Sequence, residues 1–226
     1  VVIAVNAQDI ESNKLRGDLG IGYDAEKDAP GQSHYDLLAS EARILSYVAM
    51  AERGIPVRHW EKLGRPCART RGGCALYSWS GTMFEYMMPF LFMPSATKTL
   101  LGVSARGAVG AQIRDGERRR RPWGVSESAY RAFDAAMNYQ YRAFGIAELA
   151  LSGTDEGGVI APYACMLALP AAPERAAQNL QEMTAQGLRG EFGYYEALDE
   201  RRENEGGVVF SYMSHHQGMA LCALCN

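Results

Sequence analysis

Apolar residues recur at helical spacing in several separated stretches of the chain. Across residues 33–54, "SHYDLLASEARILSYVAMAERG", Leu37, Leu38, Ile44, Leu45, Val48 and Ala49 fall near a 3.6-residue period. Ser33 is placed to cap that run, and Gly54 with Pro56 ends it. "WEKLG" predicts a short helical turn, and "RPCARTRGGCALYSWSGT" a Gly-rich segment with "ALYSW" extended. A second helix is predicted from near Thr82 through "MFEYMMPFLFM", bent or restarted at Pro89. "TLLGVSARGAVGAQIRDGE" suits a helix despite its glycines, and another is expected to start at Ser126 or Ser128. "MNYQYRAFG" reads as an irregular aromatic stretch. "APYACMLAL", "APERAAQNLQEMTAQG" and "SYMSHHQGMALCALC" are three further helical candidates, with "FGYYEALD" a loop between two of them. No exact repeat is present. Helices alternating with long aromatic and acidic loops predict an all-α architecture whose functional loops gather at one end.

Composition narrows the class. With 226 residues, 47 % apolar and 22 % charged, the chain reads as one globular domain of ordinary size, two being possible. Residues 1–30, with Gly17, Gly20 and Gly22 among many charges, read as a lead-in loop, and residues 31–226 as the domain proper. A net charge of −3 gives no reason to expect nucleic acid or a charged membrane as partner. The longest apolar run, "MFEYMMPFLFMP", is broken by Glu85 and Pro89 and falls short of the ~20 residues of a spanning helix. No charged-then-apolar leader is recognised, and the opening "VVIAVN" and closing "LCALCN" read as the bounds of an excerpt. Five cysteines cannot all pair, which points to a reducing compartment. Cys222 and Cys225 have C-x-x-C spacing, but no second such pair completes a zinc site and His215 and His216 are adjacent, so no metal is expected. The basic run 118–121 reads as a solvated corner before Pro122 rather than a phosphate contact.

The informative chemistry is carboxylates embedded among aromatic residues. Cleaving or transferring a glycoside takes two carboxyl groups: one gives a proton to the leaving oxygen, the other attacks the anomeric carbon or activates water. Sugar rings also need aromatic platforms and neutral hydrogen-bond partners. Glu41 lies in "YDLLASEAR", Glu85 in "WSGTMFEYMM", Glu127 in "WGVSESAY" and Glu196 in "FGYYEALD"; His215, His216 and Gln217 follow Tyr212. Each has a plainer reading beside the catalytic one. Glu127 fits the start of a helix capped by Ser126. Glu41 fits a pairing with an arginine across a helix. Glu85, on an apolar helix face, must lie at a cleft or be held by an arginine, because an unpaired buried carboxylate is costly. Glu196 either orients substrate or holds a loop, and the His-His pair fits one buried and one exposed ring. No phosphate loop, Ser-His-Asp order or metal motif stands out.

"YDLLASEAR", "HWEKLGRP", "SWSGTMFEYMMP", "PWGVSESAY", "YQYRAFG", "VIAPYA", "FGYYEALD" and "SYMSHHQGM", in that order, resemble the glucoamylase-like domain of cyclic β-1,2-glucan synthases from about Gly22 to the last residue. The resemblance implies an (α/α)6 toroid of paired helices. It also implies a retaining reaction that cuts a linear β-1,2-glucan and rejoins it into a ring, without a cofactor. By motif, Glu127 corresponds to the nucleophile and Glu41 to the acid/base, acting directly or through a substrate hydroxyl. Trp79, Glu85, Trp123, Tyr139, Gln140, Tyr195, Glu196, His215, His216 and Gln217 fall in motifs that would line the sugar subsites. The resemblance further implies attached glycosyltransferase and phosphorylase-like domains, no membrane contact by this segment itself, and a bacterial cytoplasmic setting within an inner-membrane protein. Cys74 and the basic "ERRRRPW" depart from the pattern. So does helix number: about seven or eight are legible, whereas twelve helices of ~11 residues with loops need about 250 residues. The chain is then an excerpt, or its ring is open. Two rival readings remain: a hydrolase using the same acids, or a non-catalytic glucan-binding module.

Overall fold

The computed structural model describes residues 19–31, 33–70, 73–93, 97–152, 157–201 and 206–226; most of the lead-in 1–30 therefore lies outside the described residues. Strand β1 (Leu19–Gly20) pairs antiparallel with β4 (His34–Tyr35), enclosing the small hairpin of β2 (Tyr23–Asp24) and β3 (Ala29–Pro30). Helix α1 (Arg43–Arg53) begins ten residues later than the period of Leu37 and Leu38 predicts. Those leucines are buried, but from a loop. The Leu38 N–H donates to Gly64 O (3.0 Å) and the Gly64 N–H to Asp36 O (2.7 Å), so these backbone groups are committed across the chain rather than along a helix. A Cβ at Gly64 would press on Leu37 and on Asp36 O, at 3.1 and 3.2 Å. The loop ends on Glu41, immediately before α1. The helix stops, as expected, at Gly54, whose φ of +67° is the left-handed cap, and α2 (Arg58–Lys62) follows.

The Gly-rich segment is a hairpin of β5 (Cys67–Thr70) and β6 (Gly73–Leu76). Helix α3 (Met83–Met87) starts at Thr82 and runs into a 3-10 turn over Met88–Leu91 containing Pro89, as the pattern predicts. Helix α4 (Leu100–Arg119) lies on the hairpin so closely that a Cβ at Gly107 would sit 2.4 Å from Cys74 O. The glycines that lower its helix propensity are what allow this approach. From the same helix, buried Gln112 donates to Val125 O (2.7 Å) and accepts from Val125 N (2.8 Å). Asn179 of α6 (Pro173–Ala185) grips Trp123 in the same way, at 3.0 and 2.7 Å. The segment leading to Glu127 is thereby fixed through both backbone groups of Trp123 and of Val125.

No helix starts at Ser126 or Ser128. Residues 128–133 form β7 (Ser128–Phe133), paired antiparallel with β8 (Tyr139–Arg142). The Ala129 and Arg131 N–H groups donate to the carboxylates of Glu196 (3.2 Å) and Asp199 (3.0 Å), which takes up donors that a helix would need. "FGYYEALD", expected as a loop, supplies β11 (Gly193–Tyr194), paired with β10 (Arg189–Gly190), and β12 (Ala197–Asp199). That last strand is the centre of a sheet ordered β13 (Gly207–Val209), β12, β9 (Val159–Ile160). Helices α5 (Pro162–Leu167), α6 and α7 (Ser214–Cys225) are as anticipated, α5 and α6 opening on prolines at their first turn.

The expectation of an all-α (α/α)6 toroid is therefore overturned. Among the described residues, thirteen short strands form six small sheets between the helices. The aromatic stretches read as loops pair their backbone edges instead, because they too are partly buried. One core joins all of this, with Phe144, Leu76, Met83, Leu149, Ile160 and Leu188 among its buried side chains. No described helix is long and apolar enough to cross a membrane. The basic run 118–121 closes α4: the Asp115 carboxylate accepts from Arg118 (2.6 Å), Arg119 (3.0 Å) and Arg121 (3.4 Å), and Arg120 turns the chain at φ +54°.

Candidate active site

Glu127 sits between a clamped backbone and a strand. Ser126, buried, accepts from Phe84 N (3.0 Å) at the start of α3, and the Tyr163 hydroxyl on α5 lies 2.9 Å from Ser126 Oγ and donates to Glu127 O (2.8 Å). The main chain of Glu127 is thus held while its half-buried carboxylate meets the Tyr141 hydroxyl at 3.4 Å. Burial first, then the charges of Glu41 and Glu85, push its carboxyl up to about 7, while the Tyr141 hydroxyl pulls the other way.

Glu41 lies at the end of the loop before α1, half-buried, with the Ser40 hydroxyl donating to Oε2 (3.2 Å). The arginine partner expected for it is otherwise engaged. Arg43, buried, gives its guanidinium to three carbonyls, Ser40 O (2.8 Å), Glu85 O (2.7 Å) and Tyr86 O (2.6 Å). Burial pulls Arg43 down to about 10, and the Glu41 charge opposes this. Tyr35 of β4 faces both acids: burial, then the charges of Glu41 and Glu127, raise its hydroxyl above the usual range. Beside it Trp79 is 44 % exposed, and its indole N–H donates to Asp36 Oδ1 (2.8 Å), which fixes the plane of an aromatic face open to solvent.

Glu85 is held by a loop, not by an arginine. Its Oε2 accepts from Ser78 Oγ (2.9 Å), Thr82 N (2.9 Å) and Thr82 Oγ1 (3.1 Å), and its Oε1 from Ser80 N (3.1 Å). Thr82 in turn caps Glu85 N at 3.1 Å, completing a capping box. Burial pushes this carboxyl up and the hydrogen bonds oppose it. Its hydrogen bonds shape residues 78–82.

Glu196 and His216 form a buried pair. His216 Nδ1 lies 2.9 and 3.0 Å from the two Glu196 oxygens, and its ring stacks on Tyr163 with centroids 3.7 Å apart. His216 Nε2 points to the Tyr141 hydroxyl, at 3.4 Å. A continuous chain therefore runs Glu127, Tyr141, His216, Glu196. His215 is exposed beside it, as the plainer reading of the pair has it.

Other anticipated residues are spread more widely. Trp123 is 5 % exposed and belongs to the core, so its ring offers no platform. Tyr139 packs on Phe133 at 4.7 Å, and Gln140 pairs in register with Tyr130; in "YQYR" it is Tyr141 that reaches Glu127. Tyr195 belongs to an aromatic group with Phe210 (5.0 Å) and Tyr212 (5.1 Å), packed over Gly190, where a Cβ would collide with both tyrosines. Gln217 donates to Tyr194 O (3.0 Å), tying that group to the turn of α7 that carries His216. Tyr35, Asp36, Tyr141 and Tyr163 went unread in the sequence. All four lie in motifs that carry the resemblance, "YDLLASEAR", "YQYRAFG" and "VIAPYA", and Tyr141 sits directly beside two residues that were singled out. Among the described residues no cluster of His, Cys, Asp or Glu could hold a metal ion, and Cys222 and Cys225 are exposed thiols on α7.

Over 214 residues the chain is 42 % identical to the cyclic β-(1,2)-glucan synthase NdvB of Rhizobium meliloti, covering 92 % of this chain and 8 % of that protein. An endo-β-1,2-glucanase from Chitinophaga pinensis, solved with sophorotriose and glucose, superposes with a TM-score of 0.66 at 17 % identity, over 93 % of this chain and 53 % of that one. The endo-β-1,2-glucanase from Talaromyces funiculosus, solved with sophorose, gives a TM-score of 0.68 at 14 % identity, over 86 % of this chain and 41 % of that one. The chain thus spans about half the length of these solved relatives and a small part of the synthase. The Glycoamylase family model, described as "Putative glucoamylase", matches residues 33–226, and the chain belongs to that glucoamylase-like family.

Proposed function

We propose that this domain cleaves β-1,2-linked glucan and transfers the glycosyl unit, closing rings, by a retaining two-carboxylate reaction. What supports the reading is that Glu41 and Glu127 lie near enough for their charges to bear on one another. They come from distant segments, one before α1 and one before β7, yet the charge of Glu41 acts on Glu127 and both act on Tyr35. Glu127, on the rigidly clamped segment, attacks the anomeric carbon and forms a covalent glycosyl-enzyme. Glu41 gives a proton to the departing oxygen, directly or through a substrate hydroxyl, and later takes one from the acceptor. An acceptor hydroxyl at the far end of the same glucan gives a ring. Trp79, oriented by Asp36, and Tyr195 with its neighbouring rings offer faces for sugars, and His215 and Gln217 offer polar groups. No cofactor enters the scheme. In this reading the domain works within a longer bacterial polypeptide alongside glycosyltransferase and phosphorylase-like domains; its alignment to only 8 % of the synthase supports that arrangement. Unpaired thiols in all five cysteines suit a cytoplasmic setting.

Hydrolysis is the second reading, favoured by the named activity of the solved relatives, with water in place of the acceptor. Incubation with linear β-1,2-glucan separates the two: rings and elongated chains mean transfer, short reducing sugars mean hydrolysis. Glu127→Gln is expected to abolish either. Glu127→Ala with azide is expected to yield the α-glycosyl azide. Turnover by Glu127→Gln at the parent level would remove Glu127 as nucleophile.

A further inference from the structure

A nucleophilic carboxylate must be ionised, yet Glu127 sits half-buried near two other acids that favour its protonated form. Something close by has to take its proton without adding charge to the site. The Tyr141 hydroxyl lies at 3.4 Å from both Glu127 Oε2 and His216 Nε2, longer than a settled hydrogen bond and equal on the two sides. With Nδ1 of His216 facing both Glu196 oxygens, its proton is held there and Nε2 is left to exchange with Tyr141.

We propose that Tyr141 and His216 form a proton relay that carries the proton of Glu127 to the His216–Glu196 pair before attack. As the Glu127 carboxyl gives its proton to Tyr141 Oη, Tyr141 gives its own to His216 Nε2. Glu127 becomes a carboxylate, Tyr141 stays neutral and the new imidazolium faces the Glu196 carboxylate, so atoms and net charge balance. In that state His216 Nε2–H donates to Tyr141, and Tyr141 donates to the Glu127 carboxylate and keeps it ionised. The return path reprotonates Glu127 when the glycosyl-enzyme has been released. The groups facing His216 are Glu196 just before β12, Tyr141 from β8, Tyr163 from α5 and His215 on its own helix. Those facing Glu127 are Tyr141, Tyr35, Glu41 and Glu85. Tyr141 and His216 are positioning residues here: they act through Glu127.

This inference rests on Glu127 being the nucleophile. Its test is the pH dependence of kcat and kcat/KM on linear β-1,2-glucan for the full chain carrying Tyr141→Phe or His216→Gln, with Glu127→Gln run beside them. Tyr141 is exposed, so the phenylalanine variant keeps the fold even if the buried His216 change does not. Tyr141→Phe is expected to lower kcat by roughly 10- to 100-fold with KM within about threefold. The acid limb of the profile moves to higher pH, because Glu127 has lost the donor that favours its ionised form. A folded His216→Gln variant shows the same two changes. If Glu127→Gln is inactive while Tyr141→Phe keeps the parent profile, or loses only affinity, the relay is overturned and the nucleophile stands. If Glu127→Gln turns over normally, both fall.

Discussion

The Glu85 carboxylate offers the sharpest test of which acids belong to the chemistry and which to the scaffold. Four donors converge on it: the Ser78 and Thr82 hydroxyls and the Ser80 and Thr82 peptide N–H groups. In Glu85→Gln the amide oxygen can serve the three donors now at Oε2, which turns the amide NH2 toward Ser80 N–H. One buried donor is left facing another, at a cost of about 1–3 kcal/mol. Glu85→Ala leaves both peptide N–H groups without an acceptor once the hydroxyls rotate away, about 2–6 kcal/mol in all. For a chain of this length each kcal/mol lowers Tm by about 2–4 °C, so the glutamine variant should melt lower by about 2–12 °C. Urea unfolding and thermal melts at pH 7 give the stability, and Michaelis kinetics on linear β-1,2-glucan give the function. A loss of stability with KM nearly unchanged is expected. An unchanged unfolding midpoint together with a tenfold higher KM would refute the argument, because the carboxylate would then be facing sugar rather than loop.

Glu41→Gln removes a like charge from beside Glu127, so the Glu127 carboxyl is expected to titrate below about 7, as read by carboxyl-carbon NMR of labelled glutamate. Since protonation of Glu127 blocks attack, activity of the parent should fall as pH drops through about 7, and a profile flat from pH 8 to 5 would contradict this. Asp36→Ala frees the Trp79 ring without touching the core. It should raise KM by about tenfold or less, with melting unchanged and Trp79 fluorescence altered. Thiol reagents should label exposed Cys67, Cys222 and Cys225 in the native protein. Cys165, buried and pushed up to about 12, should react only on unfolding, as mass spectrometry of the labelled chain would show.

Much of the helical skeleton was legible because the signals are local: Thr82 and Thr99 caps for α3 and α4, prolines at the first turns of α5 and α6, and apolar residues through α7. The errors share one cause, which is that partners distant in sequence overrode local pattern. Leu37 and Leu38 have helical spacing but bond to Gly64. Ser126 looks like a cap for a helix but accepts from Phe84, while Glu196 and Asp199 take the following N–H groups into a strand edge. The acids of the site were readable as glutamates among aromatic residues. That Glu85 and Glu196 are occupied by other protein groups, and that Tyr141 rather than Tyr139 reaches Glu127, depends on contacts no spacing encodes.

Gln112 and Asn179 each present a carboxamide to the N–H and C=O of one residue, giving a donor and an acceptor just as a neighbouring strand would. The ribbon before Glu127 thus has the stiffness of a sheet without belonging to one. A true neighbour can slip by a residue or be lengthened at its turn; an amide anchored on a helix can do neither. Neighbouring loops are therefore at liberty to change in length while the Glu127 main chain keeps its place.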